Sequence, residues 1–261
     1  MDHAFSKITL IGAGNLATHL SMALYAQGWC FAEIYSRDVK NAKALASKVK
    51  AQRAVSSLDF FKSEAELFVV AVPDDAIAHL SKTAVFPKDA CIVHTSGSVP
   101  LSALEPSKLL KGVFYPLQTF SVDKKVDFFE TPICLEAETP QLMQRLLKMA
   151  NSISGQVYKI DSTSRKHLHL AAVFACNFTN HLLSLSNKVL DDQGLSLELL
   201  KPLVKETIHK AFEIGPINAQ TGPAKRSDKD TIQEHLHLLR KKPELQKVYK
   251  ILSEQIIKKA L

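Results

Sequence analysis

The sequence predicts an α/β first half, built on a mostly parallel sheet, followed by an all-helical second half. Apolar, β-branched runs alternate with segments of helical periodicity as far as Ile160. That alternation implies a parallel sheet with helices on both faces. From Asp161 onward no convincing strand pattern returns, and long helical patterns follow one another. A third observation orients the first half. The opening apolar run ends in Gly12-Ala13-Gly14, and a helix-favouring segment begins at once. The expected parts are therefore residues 1–160 and 161–261, packed closely because no low-complexity linker separates them.

The elements follow in order. Residues 7–12 read as the first strand, and Asn15–Gly28 as a helix with Leu16, Leu20, Ala23 and Leu24 at helical spacing. Phe31–Ser36 is the second strand and Val39–Val49 the second helix. Leu67–Val72, closed by Pro73, reads as a buried parallel strand. Asp74-Asp75 then caps a helix over 76–84. Strands are expected at 90–94, 112–115, 132–136 and 156–160, with a helix over 140–151. Helical patterns cover 164–190, 196–214, 229–240 and 244–261.

Composition narrows the class. The chain has 261 residues, 46% hydrophobic and 23% charged, which suits a globular protein. No apolar run approaches the length needed to cross a bilayer, so no membrane association is expected. Met1–Lys7 lacks a signal-peptide pattern and leads straight into the first strand. Cys30, Cys91, Cys134 and Cys176 are scattered among apolar neighbours with no C-x-x-C pair. They read as reduced, mostly buried and unsuited to a metal site, in a cytoplasmic protein. The net charge of +7 gathers towards the C-terminus, at Lys225-Arg226, Arg240-Lys241-Lys242 and Lys258-Lys259. These are solvated helix faces, or they attract an anionic substrate or phosphate-bearing cofactor. No recognition motif or aromatic–basic alternation supports nucleic-acid binding.

The glycine turn carries chemistry. In G-x-G-x-x-A the residues are Gly12, Gly14 and Ala17, with Asn15 and Leu16 opening the helix. Such a turn gathers backbone N–H groups and a helix N-terminus at one point, which suits a dinucleotide pyrophosphate. The competing reading is a tight turn without a ligand. At the end of the second strand an acid would bind a ribose 2′-hydroxyl and select NAD. Here Ser36 and Arg37 occupy that place and the acid is displaced to Asp38, which favours NADP over NAD. Alternatively Arg37 is a surface charge and Asp38 a helix cap. Val72-Pro73 and His94-Thr95-Ser96 end two further strands that should face the same crevice, or they are simply turn residues.

The segment from Ser164 to His181 reads as a long helix with a polar stripe. At about 100° per residue, Lys166 and Asn177 fall within about 20° of each other and His169 about 60° from Lys166. Either the stripe forms an interior hydrogen-bond network, or it lines a substrate pocket. In a pocket His169 is the first candidate for proton transfer and Lys166 the second, with Asn177 orienting substrate. Between later helices, Gln220–Asp228 forms a Gly-Pro turn whose Arg226 could grip a carboxylate or phosphate, or pair with Asp228.

The blocks IGAGNLA from Ile11, HTSGS from His94, FYPLQTFS from Phe114, HLAAVFACNFTNH from His169 and AQTGPAKRSD from Ala219 span nearly the whole chain. With them the chain resembles a Rossmann-type oxidoreductase family whose C-terminal half is a helical domain of unknown function. Its relatives are the 6-phosphogluconate dehydrogenases, β-hydroxyacid dehydrogenases and pyrroline-5-carboxylate reductases. The resemblance implies a Rossmann NADP-binding domain, a C-terminal domain like that of 6-phosphogluconate dehydrogenase, an interdomain cleft and a homodimer formed through the helical part. Tyr115 and Gln118 then either touch substrate or brace the junction. One departure stands out: β-hydroxyacid dehydrogenases carry a lysine four residues before the asparagine, where this chain has Val173. The catalytic lysine is therefore not carried over. The reading is an NADP-dependent oxidoreductase acting on a small anionic carbonyl, hydroxy or imine compound. The alternative is a non-catalytic NADP-binding or redox-sensing protein.

Overall fold

The structure, a computed structural model, describes residues 4–104, 109–121 and 124–260. Met1-Asp2-His3 of the expected leader-free N-terminus lies outside them. The chain divides into two units, residues 1–173 and 174–261, each with its own internal packing.

In the first unit, β1 (Ile8–Ile11), α1 (Asn15–Ala26), β2 (Phe31–Tyr35), α2 (Val39–Val49) and β3 (Arg53–Val55) come first. Next are β4 (Leu67–Val70), α3 (Asp74–Thr83), β5 (Cys91–His94), β6 (Leu110–Pro116) and β7 (Ile133–Ala137). The series ends with α4 (Pro140–Asn151), β8 (Val157–Lys159) and α5 (Ser162–Ala172). Among the described residues the sheet has eight strands in the order β3-β2-β1-β4-β5-β6-β7-β8. Every pairing is parallel except β6 with β7. The order reverses at β1, so the crevice lies outside the carboxyl ends of β1 and β4.

The strands are apolar on both sides because both faces are covered. Leu10, Val69 and Val93 pack with Leu20 and Leu24 of α1 and with Leu142 and Leu146 of α4. Ile11, Phe68, Val70 and Ile92 point the other way, onto Ile77 and Leu80 of α3 and Phe60. Burying a leucine such as Leu20 contributes about 1.5–3 kcal/mol.

Local signals set the helix starts. The Asp38 carboxylate accepts from Lys40 N at 2.9 Å and caps α2. Thr139 caps α4 with Pro140 in its first turn. Asp161 accepts from Ser164 N at 2.7 Å, and this bond and Arg165 hold its carboxyl below the usual range. The expected Asp74-Asp75 cap takes a different form. Pro73 is the N-cap, and the two acids lie inside the first turn of α3, favoured there by the helix dipole. The three-residue β3 escaped the sequence reading because Arg53-Ala54-Val55 has neither length nor an apolar run.

The strand series ends near the expected boundary at Asp161, but the packing divides the chain twelve residues later. The reason is that α5 remains attached to the sheet unit, with Arg165 completely buried. After α5 the helix does not stay α. Val173–Phe178 is a π-helix, leading directly into α6 (Thr179–Asp191). A π turn closes i→i+5 bonds and rotates everything after it relative to an ideal wheel. The wheel that aligned Lys166 with Asn177 assumes an unbroken α pattern, which Val173–Phe178 does not keep.

The second unit continues from the π-helix through α6, α7 (Lys201–Ile214), α8 (Pro216–Ala219), α9 (Lys229–Leu238) and α10 (Pro243–Ala260). Lys242 bonds Asp192 at 2.5 Å, and His235 Nδ1 meets Tyr249 Oη at 2.9 Å. Among the described residues Ala224 is the one fully buried apolar side chain of this unit, whereas Phe212 is 89% exposed and Ile217 77%.

Two expectations need correction. Cys30 and Cys176 are exposed, so only Cys91 and Cys134 are buried. Ser162–Asp191, running through the π segment as 30 residues, is long and apolar enough by length and composition to cross a membrane. The sequence hid this because His, Asn and Ser residues interrupt every apolar run in it.

Candidate functional site

Gly12 closes β1 with φ +125°, in the region L side chains avoid. A β-carbon there would overlap the Ala71 carbonyl oxygen at the end of β4. The chain thus turns between two paired strands where only glycine fits. Gly14 is different: nothing lies within 4 Å of where its β-carbon would be. It lines three cavities, one of about 470 Å³ bordered mainly by α1 and α2 and two at the strand ends. The larger of these two, about 490 Å³, is lined by Gly12, Gly14, Tyr35, Ser36, Arg37 and Pro73 among others. The smaller, about 260 Å³, is lined by Gly14, Asn15, Leu16, Asp74, Thr95 and Ser96 among others. Ala71, Val72 and Pro73 border both. A backbone-lined turn at a helix N-terminus, with a groove on either side, fits a dinucleotide whose pyrophosphate crosses Gly14. Arg37 would meet a ribose phosphate. Asp38 is occupied in capping α2.

Most residues expected at the cofactor end therefore line one cavity or the other. His94 does not. It is fully buried at the end of β5, where its Nδ1 accepts from Ser96 N at 3.2 Å. Burial, aided by the positive charge of Arg165, pushes its pKa down to about 4. The unfolded imidazole titrates near 6.5. Between these values the unfolded chain takes up a proton that the folded chain refuses. The folded state therefore loses up to about 3 kcal/mol as pH falls from above 6.5 to about 4. In urea unfolding, His94→Gln is expected to lose stability less steeply than wild type between pH 7 and 5. Parallel slopes would contradict this.

The second group of residues meets at the carboxyl ends of β5 and β6. Tyr115, in β6, is 8% exposed, and its Oη lies 3.2 Å from Nδ1 of His169 on α5. The rings meet edge to face. Gly97 makes room for them: its β-carbon would lie 2.6 Å from Tyr115 Cζ and 2.8 Å from His169 Nδ1. Gly97 follows Ser96, so this pair borders the loop that lines the smaller cavity.

Other candidates are not part of this group. Lys166 is exposed. Asn177 sits in the π segment and belongs to the second unit. Gln118 is exposed, and its carbonyl accepts from Thr119 N at 2.8 Å. Arg226, in the second unit, is exposed, and Asp228 instead caps α9 by accepting from Thr231 N at 3.1 Å. That bond, with the Thr231 hydroxyl, holds the Asp228 carboxyl below its usual range.

The sequence reading passed over two residues. Asp74 lines the smaller cavity and accepts from the Ser98 hydroxyl. Arg165 is 0% exposed. An arginine at i−4 from His169 shares its helix face, which was the available signal.

Comparison with known proteins gives the chain's family and fold. Residues 7–96 match a family described as NADP oxidoreductase, coenzyme F420-dependent, and residues 131–256 match a domain of unknown function, DUF2520. A Bacteroides fragilis protein, described as a putative NADP oxidoreductase, is 41% identical over 98% of this chain and 99% of its own, with a TM-score of 0.89. A Thermotoga maritima protein is 25% identical over 97% and 99%, with a TM-score of 0.78. The fold is shared by an Aspergillus terreus reductive aminase solved with NADPH and ethyl-5-oxohexanoate, at 16% identity over 97% and 94% and a TM-score of 0.72. No curated protein matches the chain.

Proposed function

Because this chain belongs to the family of the Bacteroides fragilis NADP oxidoreductase, we propose that it is itself an NADP-dependent oxidoreductase, transferring hydride to or from a small carbonyl, hydroxy or imine compound. The observation that carries the reading is the Tyr115–His169 pair, packed on Gly97, the residue that follows Ser96 of the smaller cavity's lining. Bound NADPH supplies the hydride. The chain must then move one proton at the oxygen or nitrogen next to the carbon that receives it. Tyr115 Oη can donate that proton, and the His169 imidazole, at hydrogen-bond distance, can replace it. In the oxidative direction the same two groups accept it.

The cofactor-binding residues in this reading are Gly12, Gly14, Asn15, Leu16, Ser36, Arg37, Val72, Pro73, Thr95 and Ser96, with Arg37 on the 2′-phosphate. Arg37→Ala is expected to weaken NADPH binding by tenfold or more and NADH binding by less than twofold. Equal losses in fluorescence titrations would place the phosphate elsewhere.

The substrate reading is modified by charge. Asp74 is the only charged residue that lines the smaller cavity among the described residues, so an anionic substrate needs a cation from outside that lining. Imines and neutral carbonyls fit that cavity without one. The test is nicotinamide absorbance at equilibrium with a panel of oxo-acids, ketone–amine pairs and cyclic imines. Tight NADPH binding with no turnover across the panel would favour the non-catalytic, redox-sensing alternative.

We also infer that the chain is a cytoplasmic homodimer joined through its helical unit. The support is that unit's exposed apolar surface, including Phe212, Ile217 and Leu203, which a second copy would cover. A monomer in sedimentation velocity at micromolar concentration would contradict it.

A further inference from the structure

The Tyr115–His169 pair sits on a loop that is tied down from behind. Residues 95–99 leave β5 and turn through Gly97. Within the loop, Ser98 N and Val99 N both donate to Ser96 Oγ at 3.1 Å. The Ser96 and Val99 carbonyls point the other way, onto a single guanidinium. Arg165 Nε donates to Ser96 O at 3.2 Å, and Nη2 donates to Val99 O at 2.6 Å. Its Nη1 is paired with the Glu136 carboxylate at the end of β7, and that carboxylate also accepts from Ser162 Oγ at 2.8 and 3.0 Å.

A fully buried guanidinium is costly unless each donor finds an acceptor, and here the fork reaches two loop carbonyls, one carboxylate and, at 3.3 Å, Ser162 Oγ. The planar fork fixes the two carbonyls relative to each other and to α5. One turn further along the same helix face is His169. One side chain therefore joins the loop lining the smaller cavity to the helix that carries the imidazole.

We propose that Arg165, oriented by Glu136, is the positioning residue of this site. It holds the Ser96–Val99 loop and α5 in the register that sets Tyr115 and His169 against Gly97 beside the cofactor. This rests on the assignment of the pair to proton transfer, but the loop restraint can be measured without turnover.

Arg165→Lys keeps a cation for Glu136 but cannot reach both carbonyls in a fixed fork. Arg145→Lys serves as the control for loss of an arginine in the same unit. Arg145 donates to Ala4 O at 2.8 Å and pairs with Glu66, away from the cavities. By hydrogen–deuterium exchange, the Ser98 and Val99 amides of Arg165→Lys are expected to exchange about tenfold faster, with no change in Arg145→Lys. Unchanged exchange at these amides in Arg165→Lys overturns the proposal, whether or not the protein turns over any substrate. With a turned-over substrate, kcat should fall about 30-fold or more in Arg165→Lys while KM changes by less than about threefold. A kcat within threefold of wild type, or an equal loss in Arg145→Lys, also overturns it. Absence of turnover in the wild-type protein would count against the proton-transfer reading and leave the exchange result to decide the restraint.

Discussion

Gly12→Ala is expected to lower stability by about 3 kcal/mol or more and to abolish measurable NADPH binding. Two costs act together. At φ +125° an alanine is strained before any contact is counted. Its methyl would also fall on the Ala71 carbonyl, whose residue is anchored by Ala71 N donating to Ile11 O at 2.8 Å. Gly12 N itself donates to Tyr35 O at 2.9 Å, so the turn cannot shift without disturbing β2. Gly14→Ala separates fold from ligand. Its φ of −80° is ordinary, and its methyl meets nothing within 4 Å. It should cost less than about 1 kcal/mol in thermal unfolding, yet weaken NADPH by tenfold or more, because the methyl stands where the pyrophosphate must approach the backbone. A Gly14→Ala protein with wild-type affinity would move the pyrophosphate away from this turn.

The second large effect concerns the proton-transfer pair. Tyr115→Phe and His169→Ala are each expected to lower kcat by about 10²–10⁴ while leaving NADPH affinity within about threefold. Phenylalanine keeps the ring that packs on Gly97, so folding should be spared. In the proposed relay the two groups handle one proton, so the double variant should be little worse than the poorer single one. Additive losses in steady-state kinetics would show two independent roles. Full activity in both single variants would remove the pair from the reaction.

Much of this was legible in the sequence, for identifiable reasons. The α2 and α4 bounds follow from Asp38 and from Thr139-Pro140, whose capping chemistry is local. The central strands follow from apolar runs buried on both faces. The glycine turn gives the crevice because only a sequence of backbone conformations is needed to make it. The candidate site was legible only in part. His169 was picked by residue type, and Tyr115 by resemblance, but their contact joins positions 54 residues apart and depends on the absence of a side chain at Gly97. Arg165 was passed over because a lone arginine among Ser, Lys and His reads as a solvated face. Its partners are backbone carbonyls, which leave no mark in a sequence. The stripe from Lys166 to Asn177 was drawn on a wheel that assumes one hydrogen-bond pattern throughout, and Val173–Phe178 changes that pattern.

The single antiparallel pairing in the sheet has a directional consequence. In a βα unit the helix runs back against the strand before it, so a helix following an upward strand descends, away from the crevice. Here β7 and β8 run opposite to β1–β6, and the helix after β8 therefore climbs. From Arg165 to His169 it rises about 6 Å, at about 1.5 Å per residue. Arg165, bonded to the loop after β5, and His169, beside Tyr115, both lie at the edge that carries the first glycine turn. Reversal of one strand pair thus decides which end of the sheet receives the chain's last contribution to the unit. Had β7 and β8 run parallel to β6, the same rule would send the helix after β8 the other way.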